Sequence, residues 1–166
     1  MRPFRILSLL VVVPSAAATQ QLQLGPRLAV GDGSAFTVQA AIRADVLWQQ
    51  WGFYTGVGLR EATSLCTLTC SLPSSAAWEL VAGLTGGLRG TPAYFSVGAG
   101  ATRWGGGTNL LFEGEFGTRL PISQRLKVGV GVHAQVIPGV ERADVRNVDV
   151  QFVELVVSLS ALVRRR

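Results

Sequence analysis

An all-β, eight-stranded antiparallel up-and-down barrel is the fold this sequence predicts. Three observations predict it. Apolar residues recur with a period of two in eight successive segments. The 166-residue chain is 48% hydrophobic and only 15% charged, yet its longest apolar run, Ile6 to Val13, is broken by Ser8. That is far from the roughly 18 or more residues a spanning helix needs. Finally, there are 20 glycines, each costing a helix about 1 kcal/mol relative to alanine, which favours strands and tight turns.

The N-terminus comes first. Arg2 and Arg5 form a positive region, Ile6 to Val13 a short apolar stretch, and Pro14 breaks it before Ala16-Ala17-Ala18. This is the layout of a cleavable export signal, too short for an anchor. The expected domains are a signal peptide over 1–18 and a barrel over 19–166. Losing Arg2 and Arg5 would lower the net charge from +5 to +3. The sequence pI of 10.2 then resides mainly at the ends, including Arg164, Arg165 and Arg166. No basic stripe is interleaved with aromatics, so no nucleic-acid partner is expected.

The strands follow from alternation, because successive side chains on a strand point to opposite faces. In the first, Leu22, Leu24, Leu28 and Val30 oppose Gln21, Gln23 and Arg27. The second is the clearest: Phe36, Val38, Ala40, Ile42, Ala44, Val46 and Trp48 share one face, and Thr37, Gln39, Arg43 and Asp45 share the other. A helix would mix these sets. The pattern recurs from Trp51 to Arg60, Trp78 to Arg89, Tyr94 to Thr102, Leu110 to Leu120 and Leu126 to Val136. The last segment is less regular. Val153, Leu155, Val157, Leu159 and Ala161 form its apolar face, but Val148, Val150 and Phe152 have the opposite parity, and a bulge near Phe152 is expected to reconcile them.

Alternation alone does not separate a soluble barrel from a transmembrane one. The charges do. Arg27, Arg43, Asp45, Arg60, Glu79, Glu113, Glu115, Arg119, Lys127 and Glu154 all fall on the polar face, few in number, mixed in sign and interspersed with glycine. A soluble barrel would cover its outside with many more. These ten suit a narrow lumen filled by a charge network, in which each charge must be matched. Trp48, Trp51, Trp78 and Trp104 lie near strand ends and are expected to form aromatic girdles at the two membrane interfaces. Gln49-Gln50, Gly90-Thr91 and Pro121 to Gln124 read as short turns. Residues 62–76, 103–109 and 138–147 read as longer loops, with Gly31 to Ser34 a brief fourth. Short inner turns alternating with longer outer loops are the bacterial arrangement.

On this pattern the whole mature chain resembles the outer-membrane protein beta-barrel domain family of small eight-stranded bacterial barrels. The resemblance implies a monomer in the bacterial outer membrane, in contact with the bilayer and lipopolysaccharide and delivered by the outer-membrane assembly machinery. Family members often serve in adhesion, host interaction, stress or structure. Such barrels commonly end in an aromatic residue, whereas this chain ends Leu162-Val163-Arg164-Arg165-Arg166.

Few residues suggest chemistry. Cys66 and Cys70 fall in the 62–76 loop, and in an oxidising compartment a disulfide between them is expected. Two free thiols are the alternative, and no His ligands lie near enough in sequence to favour metal. His133 is the sole histidine. Outer-membrane lipid A deacylases pair a His with a Ser two residues on, but here the run is His133-Ala134-Gln135, and His133 shares the lumen face. The Gly-x-Gly runs at 56–58, 98–100 and 129–131 lack the continuation of a phosphate loop. No cofactor, metal or catalytic residue is therefore expected. The expected function is a non-enzymatic barrel with a side-chain-filled polar lumen, structural or binding an extracellular ligand through its loops. A small porin-like channel and a lipid-modifying enzyme are the alternatives.

Overall fold

A computed structural model describes residues 20–63, 75–104, 107–140 and 148–165. The expected signal peptide over 1–18, and Cys66 and Cys70, lie outside the described residues. The described residues form a closed barrel of eight antiparallel strands: β1 (Gln20–Gly33), β2 (Phe36–Trp48), β3 (Trp51–Thr63), β4 (Ser75–Gly87), β5 (Ala93–Trp104), β6 (Gly107–Pro121), β7 (Leu126–Val140) and β8 (Val148–Arg165). Each strand pairs with the next, and β8 closes on β1. Closure leaves no edge, so every strand can satisfy its backbone polar groups without water.

The strands put their apolar face outward. Leu59, Leu110 and Leu155 are each about two-thirds exposed, and they belong to a continuous belt that includes Leu28, Ile42, Val57, Phe116 and Val157. In water this surface would be a severe liability. In a bilayer it is the required one. Three short connections, 49–50, 88–92 and 122–125, share one end of the barrel, here the turn end. Gln49 opens the first of these with φ 58, the left-handed backbone that a two-residue hairpin turn demands. At the opposite, loop end, β1 and β2 are joined through 34–35.

The loop-end strands are longer than their composition suggests. Residues 103–109 are not a long loop: β5 runs to Trp104, β6 begins at Gly107, and Arg103 pairs with Thr108. The polar residues there read as a loop, but ladder bonds form through the backbone whatever the side chains. For the same reason β1 extends through Gly31 to Gly33, and β7 through Pro138 to Val140.

The expected bulge near Phe152 is absent. Phe152 stays in register opposite Gln135 and points inward, 1% exposed. The irregularity lies on β7 instead, between Ile137 and Val140, where Pro138 cannot donate a ladder bond and Gly139 adopts φ 65. The parity of β8 is therefore unbroken through Phe152, and its other register shift lies near its far end, where Leu22 pairs with Arg164 and Gln23 with Leu162. Val150, Phe152 and Val156 are lumen residues, and the misreading came from assuming that every lumen residue is polar. Leu111, Ile137 and Val140 join Val150 and Phe152 in an apolar cluster toward the loop end. The lumen is polar only through its middle and turn end.

Two lumen tyrosines lie across glycines of neighbouring strands. A Cβ on Gly98 would come within 2.1 Å of the Tyr54 hydroxyl, and one on Gly83 within 2.7 Å of its ring. The absence of side chains on β4 and β5 thus makes the slot that Tyr54 occupies. Gly98→Ala should displace Tyr54 and destabilise the barrel by about 1–3 kcal/mol, read as a lower urea midpoint in detergent micelles. Gly107→Ala, where an added Cβ meets nothing within 4 Å, should leave the midpoint in place.

Candidate functional site

The lumen holds the concentration of polar chemistry in this chain. Alternation brings Arg27 from β1, Arg43 and Asp45 from β2, Arg60 from β3, Glu79 from β4, Glu113, Glu115 and Arg119 from β6, Lys127 from β7 and Glu154 from β8 to the inner face. Five side-chain cations thus face five carboxylates. They fall into two groups along the barrel axis.

The group nearer the loop end is centred on Arg60, which is completely buried. Its Nε donates to Glu79 at 2.7 Å, and Nη2 donates to Glu154 at 3.2 Å while Nη1 reaches the other oxygen of the same carboxylate. The guanidinium plane stands 4.7 Å from the Phe152 ring, so the apolar cluster forms one wall of the ion pair. Neutral groups complete the two carboxylates. Thr37 donates to Glu154 at 2.7 Å. Gln39 donates to Glu79, as does Gln135 at 3.2 Å. In an interior that excludes water, a carboxylate needs this many partners.

The group nearer the turn end is richer in cations. Arg43 donates through Nε to Asp45 at 2.9 Å and through Nη1 to Ser96 at 3.2 Å, with Glu115 at 3.4 Å. Arg27 pairs with Glu115 at 3.1 Å and donates to Gln39 at 2.7 Å, linking the two groups. Tyr94 donates to Glu115, and Tyr54 to Glu113 at 2.6 Å. Arg43 lies 3.9 Å over the Tyr54 ring, and Arg119 lies 4.1 Å over Tyr94. The tyrosines therefore serve twice, offering a face to a cation and a hydroxyl to a carboxylate.

His133, fully buried, bridges the groups. Nδ1 is 2.8 Å from Glu154 and Nε2 is 3.1 Å from Glu113. With a carboxylate oxygen at each nitrogen, only the imidazolium can donate to both. This is the geometry of a structural cross-link between β6, β7 and β8. It puts the histidine inside the barrel, away from the surface where lipid would lie, and no serine hydroxyl contacts it among the described residues.

Sequence reasoning missed several members. Thr37, Gln39, Ser96 and Gln135 had the right parity, but only the closed barrel shows which carboxylate each serves. Phe152 was missed through its apolarity. Lys127 stands apart: it faces the turn-end mouth and makes no ion pair among the described residues.

The girdle tryptophans divide by position. Trp48 and Trp51 face each other across the Gln49-Gln50 turn and pack edge-on against Phe53 and Phe95, at 5.7 and 5.4 Å between ring centroids. Trp78 points outward from β4, toward the other end, 41% exposed. Trp104 closes β5, and its side chain lies outside the described residues.

The hierarchy of partners sets a ranking of substitutions. Arg60→Ala would strand Glu79 and Glu154 with neutral donors and His133, and should cost about 3–5 kcal/mol. Arg43→Ala should cost less, because Arg119 and Arg27 remain near Asp45 and Glu115. Urea midpoints of the two variants in micelles check this, and an Arg43 cost equal to or above that of Arg60 would contradict it.

No family model matches the chain, and no curated protein does. Among solved structures the chain is similar to Neisserial surface protein A (NspA), at 14% identity and a TM-score of 0.60, covering 86% of this chain and 96% of that one. It is also similar to a de novo designed transmembrane β-barrel, at 12% identity and a TM-score of 0.51, covering 86% of this chain and 95% of the design. At these identities the likeness is one of fold, and the chain has the fold of the small eight-stranded transmembrane barrels.

Proposed function

We propose that this chain is a non-enzymatic barrel of the bacterial outer membrane, structural or ligand-binding through its loops, with a lumen that does not conduct. The observation that carries this reading is the buried Arg60–Glu79–Glu154 cluster, whose side chains are 0% exposed. An eight-stranded interior is just wide enough for side chains to fill, and here ion pairs fill its middle while apolar side chains fill the loop end. A solute path would have to break both. The outward apolar belt and the outward Trp48, Trp51 and Trp78 support a membrane setting. The fold shared with a neisserial surface protein supports an outer-membrane one.

On this reading the protein is a monomer whose partners are bilayer lipid, lipopolysaccharide, the assembly machinery and an extracellular ligand of segments 64–74 and 141–147. The purified barrel in a planar bilayer should show no steady unitary conductance, and a stable open channel would overturn the reading. A Cys66–Cys70 disulfide in the 64–74 segment accompanies it. Both thiols should resist alkylation in the exported protein until reductant is added. Labelling without reductant would show the free thiols instead.

A further inference from the structure

The two halves of the lumen network do not carry equal charge. Toward the loop end, carboxylates predominate around Arg60 and His133. Toward the turn end, Arg27, Arg43 and Arg119 form ion pairs with Asp45 and Glu115, Glu113 is taken up by His133 and Tyr54, and Lys127 has no ion pair among the described residues. The surplus is at the mouth. Arg119 reaches Asp45 only at 3.6 Å, and its buried Nε has no hydrogen-bond partner. One Nη of Arg43 is also buried without a partner.

Of these four cations, Arg119 and Lys127 adjoin open space. A cavity of about 260 Å³ opens at the turn end, lined by Arg119, Lys127, Tyr94 and the 88–92 turn with Arg89. A second, of about 160 Å³, lies on the other side of Lys127 and includes Arg125 and Ser160. Neither lining contains an Asp or Glu. A single water needs only about 15 Å³, so the larger cavity has room for a hydrated oxyanion. Asp45, the nearest carboxylate to Arg119, already accepts from Arg43 at 2.9 Å.

We propose that this mouth is a binding site for a small oxyanion, a phosphate or carboxylate group, held between the Arg119 guanidinium and the Lys127 ammonium. Arg119 is stacked on Tyr94, which fixes the plane of its guanidinium at the cavity wall. Lys127 supplies a second, rotatable donor from the adjacent strand β7. The site itself does not depend on the outer-membrane reading. Only its facing the periplasm does.

The test uses the full mature chain in uncharged detergent micelles, titrated with inorganic phosphate and followed by backbone amide shifts of Arg119, Lys127 and Gly90. Sodium chloride at matched ionic strength is the control. Saturable shifts with phosphate alone are expected. Lys127→Gln, at a residue with no ion pair to lose, should weaken binding about tenfold, and Lys127→Arg should restore it. Arg103→Gln, on the exposed surface of β5 at the opposite end, should change nothing. Equal responses to phosphate and chloride, or equal losses in Lys127→Gln and Arg103→Gln, would overturn the site. A second arm uses neutral-lipid vesicles with and without phosphatidylglycerol. A response only to the anionic lipid would place the anion on the outer wall and likewise overturn it.

Discussion

A fully ionised side chain cannot be left alone inside a barrel of eight strands, and the placement of Arg60 shows what that constraint demands. Its guanidinium ties Glu79 of β4 to Glu154 of β8, positions distant in the chain and on separate parts of the wall. Each carboxylate then draws further donors, so Thr37, Gln39, Gln135 and His133 take up positions set by the same pair. A buried ion pair is weak evidence of net stability, because desolvation offsets much of the attraction. Its partners are nevertheless interdependent, since removing any one strands the others. Matching of this kind specifies one strand register, because a shift by one residue would turn every one of these groups toward lipid.

The same narrowness explains the glycines. A lumen that contains arginines and tyrosines has no room for a side chain at every inward position. Tyr54 reaches Glu113 by lying over Gly83 and Gly98, and Arg43 is stacked on the tyrosine in turn. Small residues on β4 and β5 are thus as much part of the network as the charges.

Along its axis the lumen changes character. The loop end is apolar around Phe152, Ile137 and Leu111, the middle is neutralised by close pairing, and the turn end has cations in excess beside open space. Among the described residues, hydrophobic burial packs the lumen toward the loop end without a need for matched partners, whereas the turn end retains buried donors without a protein partner.

The sequence by itself determined the number of strands, their order and which face of each carries charge. The period of two is a covalent property of the extended chain, and it was readable from Phe36 to Trp48 without any knowledge of neighbours. It misled only where the lumen is apolar, as at Phe152, and where backbone pairing extended strands through polar residues such as Arg103 and Thr108. What the tertiary structure alone decided is partnership. Alternation places Arg60 and Lys127 alike on the inner face, but one meets two carboxylates and the other meets a cavity lined by none. That difference arises from strand stagger and barrel closure, which set the height of each residue along the axis. Both are properties of the assembled sheet, invisible in any one strand.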